Sequence, residues 1–301
     1  MSIQRHAQIL WGLTFLLLIA GSLVHGTGSG LACPDWPLCH GVFFPEMTGG
    51  VEFEHTHRLV AGAVALLTLA LSIRLWKTRW RWLGLAAIIL VLVQAALGGL
   101  TVLMGLPAAV SIIHSAVSLL FFSLVTRLAL VMVPAVVRSP APTAPHPAPM
   151  KVSGRPVAMI QIIWLVLYAQ MVLGAVVRFL GAGLACPDIP FCRGQIWPPV
   201  IESLGRLHMI HRGVALVVAA LIIGMFIDFR RRFPENQTLR WASSCALILV
   251  IVQIGLGVAS VISFLNLVPV TAHLAVGALL LASLTAMVVS TSAIASPKKI
   301  V

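Results

Sequence analysis

The chain has 301 residues, 59% of them hydrophobic and 9% charged, with a formal net charge of +12. That balance, with a mean hydropathy of +1.03, excludes a soluble globular domain, because so few charged groups cannot cover a water-facing surface. The positive charge does not indicate nucleic acid either, since the basic residues gather into no groove or stripe.

Eight predominantly apolar stretches follow one another, each long enough to cross a bilayer, which takes about 20 residues at roughly 1.5 Å each. The first, Ala7 to Val24, exceeds a usual signal-peptide core and is read as an uncleaved signal anchor. A Pro-bent loop follows, Gly30-Leu-Ala-Cys-Pro-Asp-Trp-Pro-Leu-Cys39, in which Cys33 and Cys39 form either a structural disulfide or a reversible redox pair. The second stretch, Leu59 to Trp76, is preceded by Glu54, His57 and Arg58. A helix starting near Gly50 puts Glu54 and His57 on one face. The third, Leu83 to Leu103, carries Gln94-Ala-Ala-Leu-Gly-Gly99, whose small residues suit close helix packing; the fourth, Ala108 to Val133, carries His114. Pro134 to Pro156, rich in Pro and Ala, is a linker without a fold of its own. The fifth stretch is Val157 to Val177, and a second loop then repeats the cysteine pair as Cys186 and Cys192. The sixth, Gly213 to Phe229, is preceded by His208, His211 and Arg212. The seventh, Trp241 to Leu265, holds Cys245, expected as a small packing residue, and Gln253-Ile-Gly-Leu-Gly257; the eighth, Val268 to Ser290, holds His273.

The cysteine loops are related by an offset of 153 (33 to 186, 39 to 192), His57 and His211 by 154, and Gln94 and His114 to Gln253 and His273 by 159. This is a parallel tandem repeat, with the extra five residues between Arg230 and Arg240. The fold class is therefore all-α integral membrane: two four-helix bundles, residues 1–133 and 157–301, joined by the linker 134–156. Fifteen of the 20 Lys and Arg residues flank one side, so the positive-inside rule puts both termini in the cytoplasm and the cysteine loops outside, in a prokaryotic cell membrane.

His57, His114, His211 and His273 all lie near the outer ends of even-numbered helices. In an up-down bundle those helices are diagonal, so each pair converges on a core, and two facing neutral imidazoles are the usual axial ligands of a low-spin heme. Zinc is a poorer match, because a diagonal pair supplies two of the about four ligands it takes. Arg58 and Arg212 follow two of these histidines and are candidates to neutralise heme propionates. Glu54 sits beside the first pair, whereas the second half has His208 there, so proton-coupled chemistry is expected in the first half and a permanent redox heme in the second. His6, His25, His40 and His55 read as solvated or interfacial.

Glu54-x-x-His57-Arg58, the loop from Thr27-Gly-Ser-Gly to Cys39 and the duplicated four-helix plan resemble the heme A synthase family. The resemblance implies an oxidoreductase that converts a methyl group of heme O, through a hydroxymethyl stage, to the formyl group of heme A for terminal oxidases. It further implies heme b on His211 and His273, substrate heme O at His57 and His114, Glu54 as the required acid, and heme O synthase and terminal oxidase assembly as partners. The cysteine pairs vary in that family, so Cys33, Cys39, Cys186 and Cys192 need not be catalytic. His25 departs from the basic residue expected before Thr27. The competing readings are a diheme b-type electron carrier, a quinone-linked thiol oxidoreductase centred on the cysteines, and a heme exporter.

Overall fold

The structure, a computed structural model, describes residues 1–132 and 154–295, with side chains as far as Thr291. Among these residues there are eight helices long and apolar enough to cross a membrane, and no strand beyond two isolated bridges. They are α1 (Ile3–Gly26), α2 (Val51–Leu75), α3 (Arg81–Leu103), α4 (Ala108–Val131), α5 (Gly154–Phe179), α6 (Ser203–Arg232), α7 (Gln237–Ile262) and α8 (Leu267–Ala295). The chain is a multi-pass membrane protein.

The helices outrun the apolar stretches that announce them. α2 begins at Val51 rather than Leu59 and α6 at Ser203 rather than Gly213. Main-chain bonding continues through the polar turns that carry Glu54, His57, His208 and His211, since a helix needs its backbone satisfied and not an apolar side chain at every position. Gly50 caps α2 at a φ of 96°, a conformation open to glycine. Residues 154–156, counted with the linker in the sequence, form the first turn of α5, where Pro156 is tolerated because a first-turn amide has no helical acceptor. The remainder of the linker, 134–153, and Val133 before it lie outside the described residues.

α1 packs on α2, α2 on α3, α3 on α4 and α4 on α1; α5 to α8 close in the same order. The even helices of each ring are therefore diagonal. α1 and α4 meet α5 and α8 at the centre, where fully buried Phe122 packs with Trp11, Phe15, Ala278 and Ala282. Equivalent polar bonds recur in both halves: Trp11 Nε1 donates to Thr126 Oγ1 and Trp164 Nε1 to Thr285 Oγ1, each at 2.9 Å.

Each ring has its own apolar core, around Leu10, Leu71, Leu75 and Leu128 in one and Ile160, Ile222, Phe229 and Leu284 in the other. Both cores fill the helix ends remote from the cysteine loops, leaving the histidine level as a separate layer. Leu66, Leu92 and Leu216, each more than 60% exposed, face outward, as expected where lipid replaces water. Cys245 shares this exposed surface instead of packing inside.

Candidate functional site

The four histidines occupy one kind of seat. Each lies near the loop end of an even helix and lays its imidazole on a glycine of the preceding helix. A Cβ added to Gly21 would stand 3.2 Å from His57 Cε1, to Gly98 3.3 Å from His114 Cε1, to Gly174 3.1 Å from His211 Cε1 and to Gly257 3.1 Å from His273 Cε1. Any larger residue would push the ring off its present position. His57 and His114 lie within electrostatic reach of each other, as do His211 and His273. Gln94 and Gln170 donate their side-chain amides to the carbonyls of His114 at 3.0 Å and His211 at 2.9 Å, while the Gln253 amide stands 3.2 Å from His273 Nε2. His57 Nδ1 and His114 Nδ1 are buried with no hydrogen-bond partner. Among the described residues neither histidine pair belongs to a group of three or more closely spaced His, Cys, Asp or Glu side chains, which suits the axial coordination of a heme iron better than a four-ligand zinc site.

Arg58 and Arg212 have partners other than the propionates expected for them. Arg58 donates to the carbonyls of Cys33 (2.8 Å), Asp35 (2.6 Å) and Leu38 (2.5 Å), and its Nε to Glu54 Oε1 (2.8 Å). Arg212 donates to the carbonyls of Cys186, Asp188 and Phe191. Both arginines are thus clamps that hold a cysteine loop onto the helix bearing the histidine, a contact between distant main-chain groups that residue spacing does not reveal. Disulfides close the loops, Cys33–Cys39 and Cys186–Cys192. Asp35 accepts from the amides of His40 and Gly41, and Asp188 from those of Arg193 and Gly194. Hydrogen bonds from Gly41 and then His40 hold the Asp35 carboxyl below its ordinary range; those from Gly194 and Arg193 do the same for Asp188. Leu106 and Leu265, in the turns after α3 and α7, cover Gly30 and Gly183 and seat the loops from the other side.

Three differences separate the two halves. Glu54 is buried and paired with Arg58, where the second half has His208. Trp36 lies against Gly99, next to the glycine under His114, whereas the corresponding residues are Ile189 and Val258. His55 is buried with both ring nitrogens unpartnered, within 4.8 Å of the Cys33 and Cys39 sulfurs, and Met209 replaces it in the second half. Two of the four histidines read as solvated or interfacial are buried: His55, as described, and His6, which bonds the Leu67 carbonyl at 3.0 Å through Nε2. His25 and His40 are exposed. His25 stands where the second half has Arg178, and its ring packs edge-on to Phe179 across the central interface.

Fold and site together define a duplicated eight-helix membrane protein with two repeat-related histidine pairs, one of them accompanied by a buried acid. The chain belongs to the COX15-CtaA family, described as cytochrome oxidase assembly protein, whose model matches residues 48–285. It is similar to heme A synthase of Bacillus licheniformis, 32% identical over 270 residues covering 85% of each chain. It is also similar to heme A synthase of Bacillus pumilus (34% over 265 residues, 86% of this chain and 85% of the relative) and of Symbiobacterium thermophilum (32% over 269 residues, 86% and 85%).

Proposed function

We propose that this chain carries out the reaction for which its relatives are named, oxidising a methyl group of heme O to the formyl group of heme A. The observation that carries this reading is the pairing of equivalence and difference: four identical histidine seats, with a buried carboxylate beside only one pair. A chain that merely passed electrons between two hemes would have no use for an acid in one half.

Substrate heme O belongs to the N-terminal pair, His57 and His114, and resident heme b to the C-terminal pair, His211 and His273, with the loop end on the outer face of the membrane. When bound, heme b supplies one-electron chemistry. Converting a methyl to a formyl group removes four electrons and adds one oxygen atom, and formally R–CH3 with water gives R–CHO, four protons and four electrons. Glu54, one helical turn before His57, takes up protons at its carboxylate, and Arg58 holds that carboxylate in place. Trp36 covers α3 beside the His114 seat and limits water there. The two disulfides fix the loops over both sites.

The test is to co-express the chain with a heme O synthase in a host that lacks heme A, and to separate the extracted pigments by chromatography. Heme A is expected with the wild-type chain and lost in Glu54→Ala and His57→Ala. Bound heme b with no converted pigment would establish the electron carrier instead.

A further inference from the structure

His55 is a buried histidine that neither heme site uses. It lies in the first turns of α2, 4% exposed, and both its ring nitrogens lack a hydrogen-bond partner. An imidazole shut away from water without a partner is costly, and such a group calls for a role. Packing does not require it, since Met209 fills the repeat-related position and turns its sulfur to Arg212 Nη1 at 3.9 Å. What faces His55 is the first disulfide. A nitrogen of its ring and the Sγ atoms of Cys33 and Cys39, both cysteines fully buried, all lie within 4.8 Å of one another.

Joined to each other, the two sulfurs are poor metal donors; reduced, they are strong ones. A dithiol that passes two electrons and two protons to Cys33–Cys39 becomes a disulfide itself and leaves two thiols in the loop. A metal ion that binds there displaces both thiol protons and gains two thiolates and one imidazole. The loop does not depend on its disulfide for its place. Arg58 holds the carbonyls of Cys33, Asp35 and Leu38, and the Cys39 and Val42 main chains bond each other. The Cα atoms of the two cysteines, 4.7 Å apart, thus stay close enough for both sulfurs to reach one ion. We propose that reduction of the first loop creates a metal site in which Cys33, Cys39 and His55 bind a cuprous ion. Two thiolates select a soft metal, and zinc is the poorer fit because it takes about four ligands where this buried group has three. The second loop has no imidazole at this place. The first loop therefore has two closed forms, a disulfide and a metal thiolate, exchanged by a dithiol.

The experiment uses the full-length, heme-loaded protein, reduced anaerobically with a phosphine until alkylation and mass spectrometry show the Cys33 and Cys39 thiols to be free. Cuprous bicinchoninate is the probe, and the oxidised protein is the reference for copper bound elsewhere. With the second loop silenced by Cys186→Ser and Cys192→Ser, the reduced protein is expected to take up one equivalent more copper than its oxidised form. X-ray absorption is expected to show two sulfurs and one nitrogen around that ion. Adding His55→Leu should weaken the uptake at least about 10-fold, the least that loss of even an outer partner costs a metal site, and should remove the nitrogen. If the serine variant does not fold, His55→Leu against wild type reads the first loop alone, because the second is common to both. No copper beyond the oxidised reference, or equal affinity with and without His55, would overturn the proposal. The readout needs no turnover, so the site stands or falls apart from the proposed function.

Discussion

Replacing Arg58 by lysine tests how the first cysteine loop is held above its histidine. The guanidinium side chain, 10% exposed, serves Glu54 and three loop carbonyls at once. A lysine ammonium keeps the charge beside Glu54 but cannot span the fork of acceptors. At least two carbonyl bonds from a charged donor are lost; at about 1.5–3 kcal/mol each, reduced because the loop is partly wet, the loop-opening free energy falls by about 2–3 kcal/mol. Both sulfurs of Cys33–Cys39 are fully buried, so a small reductant must wait for the loop to open. Reduction by dithiothreitol, followed by maleimide trapping and peptide mapping, should then run about 30- to 150-fold faster than in wild type. Arg212→Lys should accelerate reduction of Cys186–Cys192 alone, since it clamps only the second loop. A rate for Arg58→Lys within threefold of wild type would refute the clamp.

The other predictions concern the seats and loops. Gly257→Ala should reduce heme content and alter the low-spin absorption bands, because its Cβ meets the His273 ring, whereas Gly255→Ala, with nothing within 4 Å, should leave the spectrum unchanged and raise stability by about 0.5–1 kcal/mol through helix propensity. The Asp35 and Asp188 carboxyls titrate below their ordinary value of 3.8, so their support of the loops is complete above that value and is lost as pH falls through the depressed folded values. Limited proteolysis of the loops should accordingly quicken only below about pH 3.8, and at neutral pH Asp35→Asn should quicken cleavage of the first loop alone. Removing Cys186 and Cys192 together should cost about 2 kcal/mol of stability for so short a closed loop. If the pair is a staple, heme A production survives this change in cells held at lower temperature; abolished production in a chain of normal stability would show that the pair carries electrons.

Much of the architecture is legible in the sequence because lipid imposes it. Each span must be apolar and internally hydrogen-bonded, so eight stretches from Ala7 to Ser290 mark eight helices. The repeat is legible because the same loop, closed by Cys33–Cys39 and again by Cys186–Cys192, needs the same residues twice. What escapes reading are contacts made through main-chain carbonyls or through missing atoms. Nothing in the spacing of Arg58 announces that its partners are three peptide oxygens of the loop. Gly21 and Gly174 look like ordinary small residues until an imidazole is found against each. Gln170 is hidden for a further reason: its repeat partner is Leu17, so comparison of the halves, which picks out Gln94 with Gln253, passes over it. His6 and His55 also lack repeat partners, and their burial follows from tertiary packing.

The central claim is that opposed histidines, seated on glycine at one level of each ring, hold heme. It is tested most directly by pyridine hemochrome content and low-temperature electron paramagnetic resonance of the purified wild type and of His57→Ala, His114→Ala, His211→Ala and His273→Ala. The account predicts a six-coordinate low-spin signal from resident heme b that either C-terminal substitution abolishes and neither N-terminal substitution alters. A colourless wild-type protein from heme-replete cells, or a signal that survives removal of both His211 and His273, would contradict it.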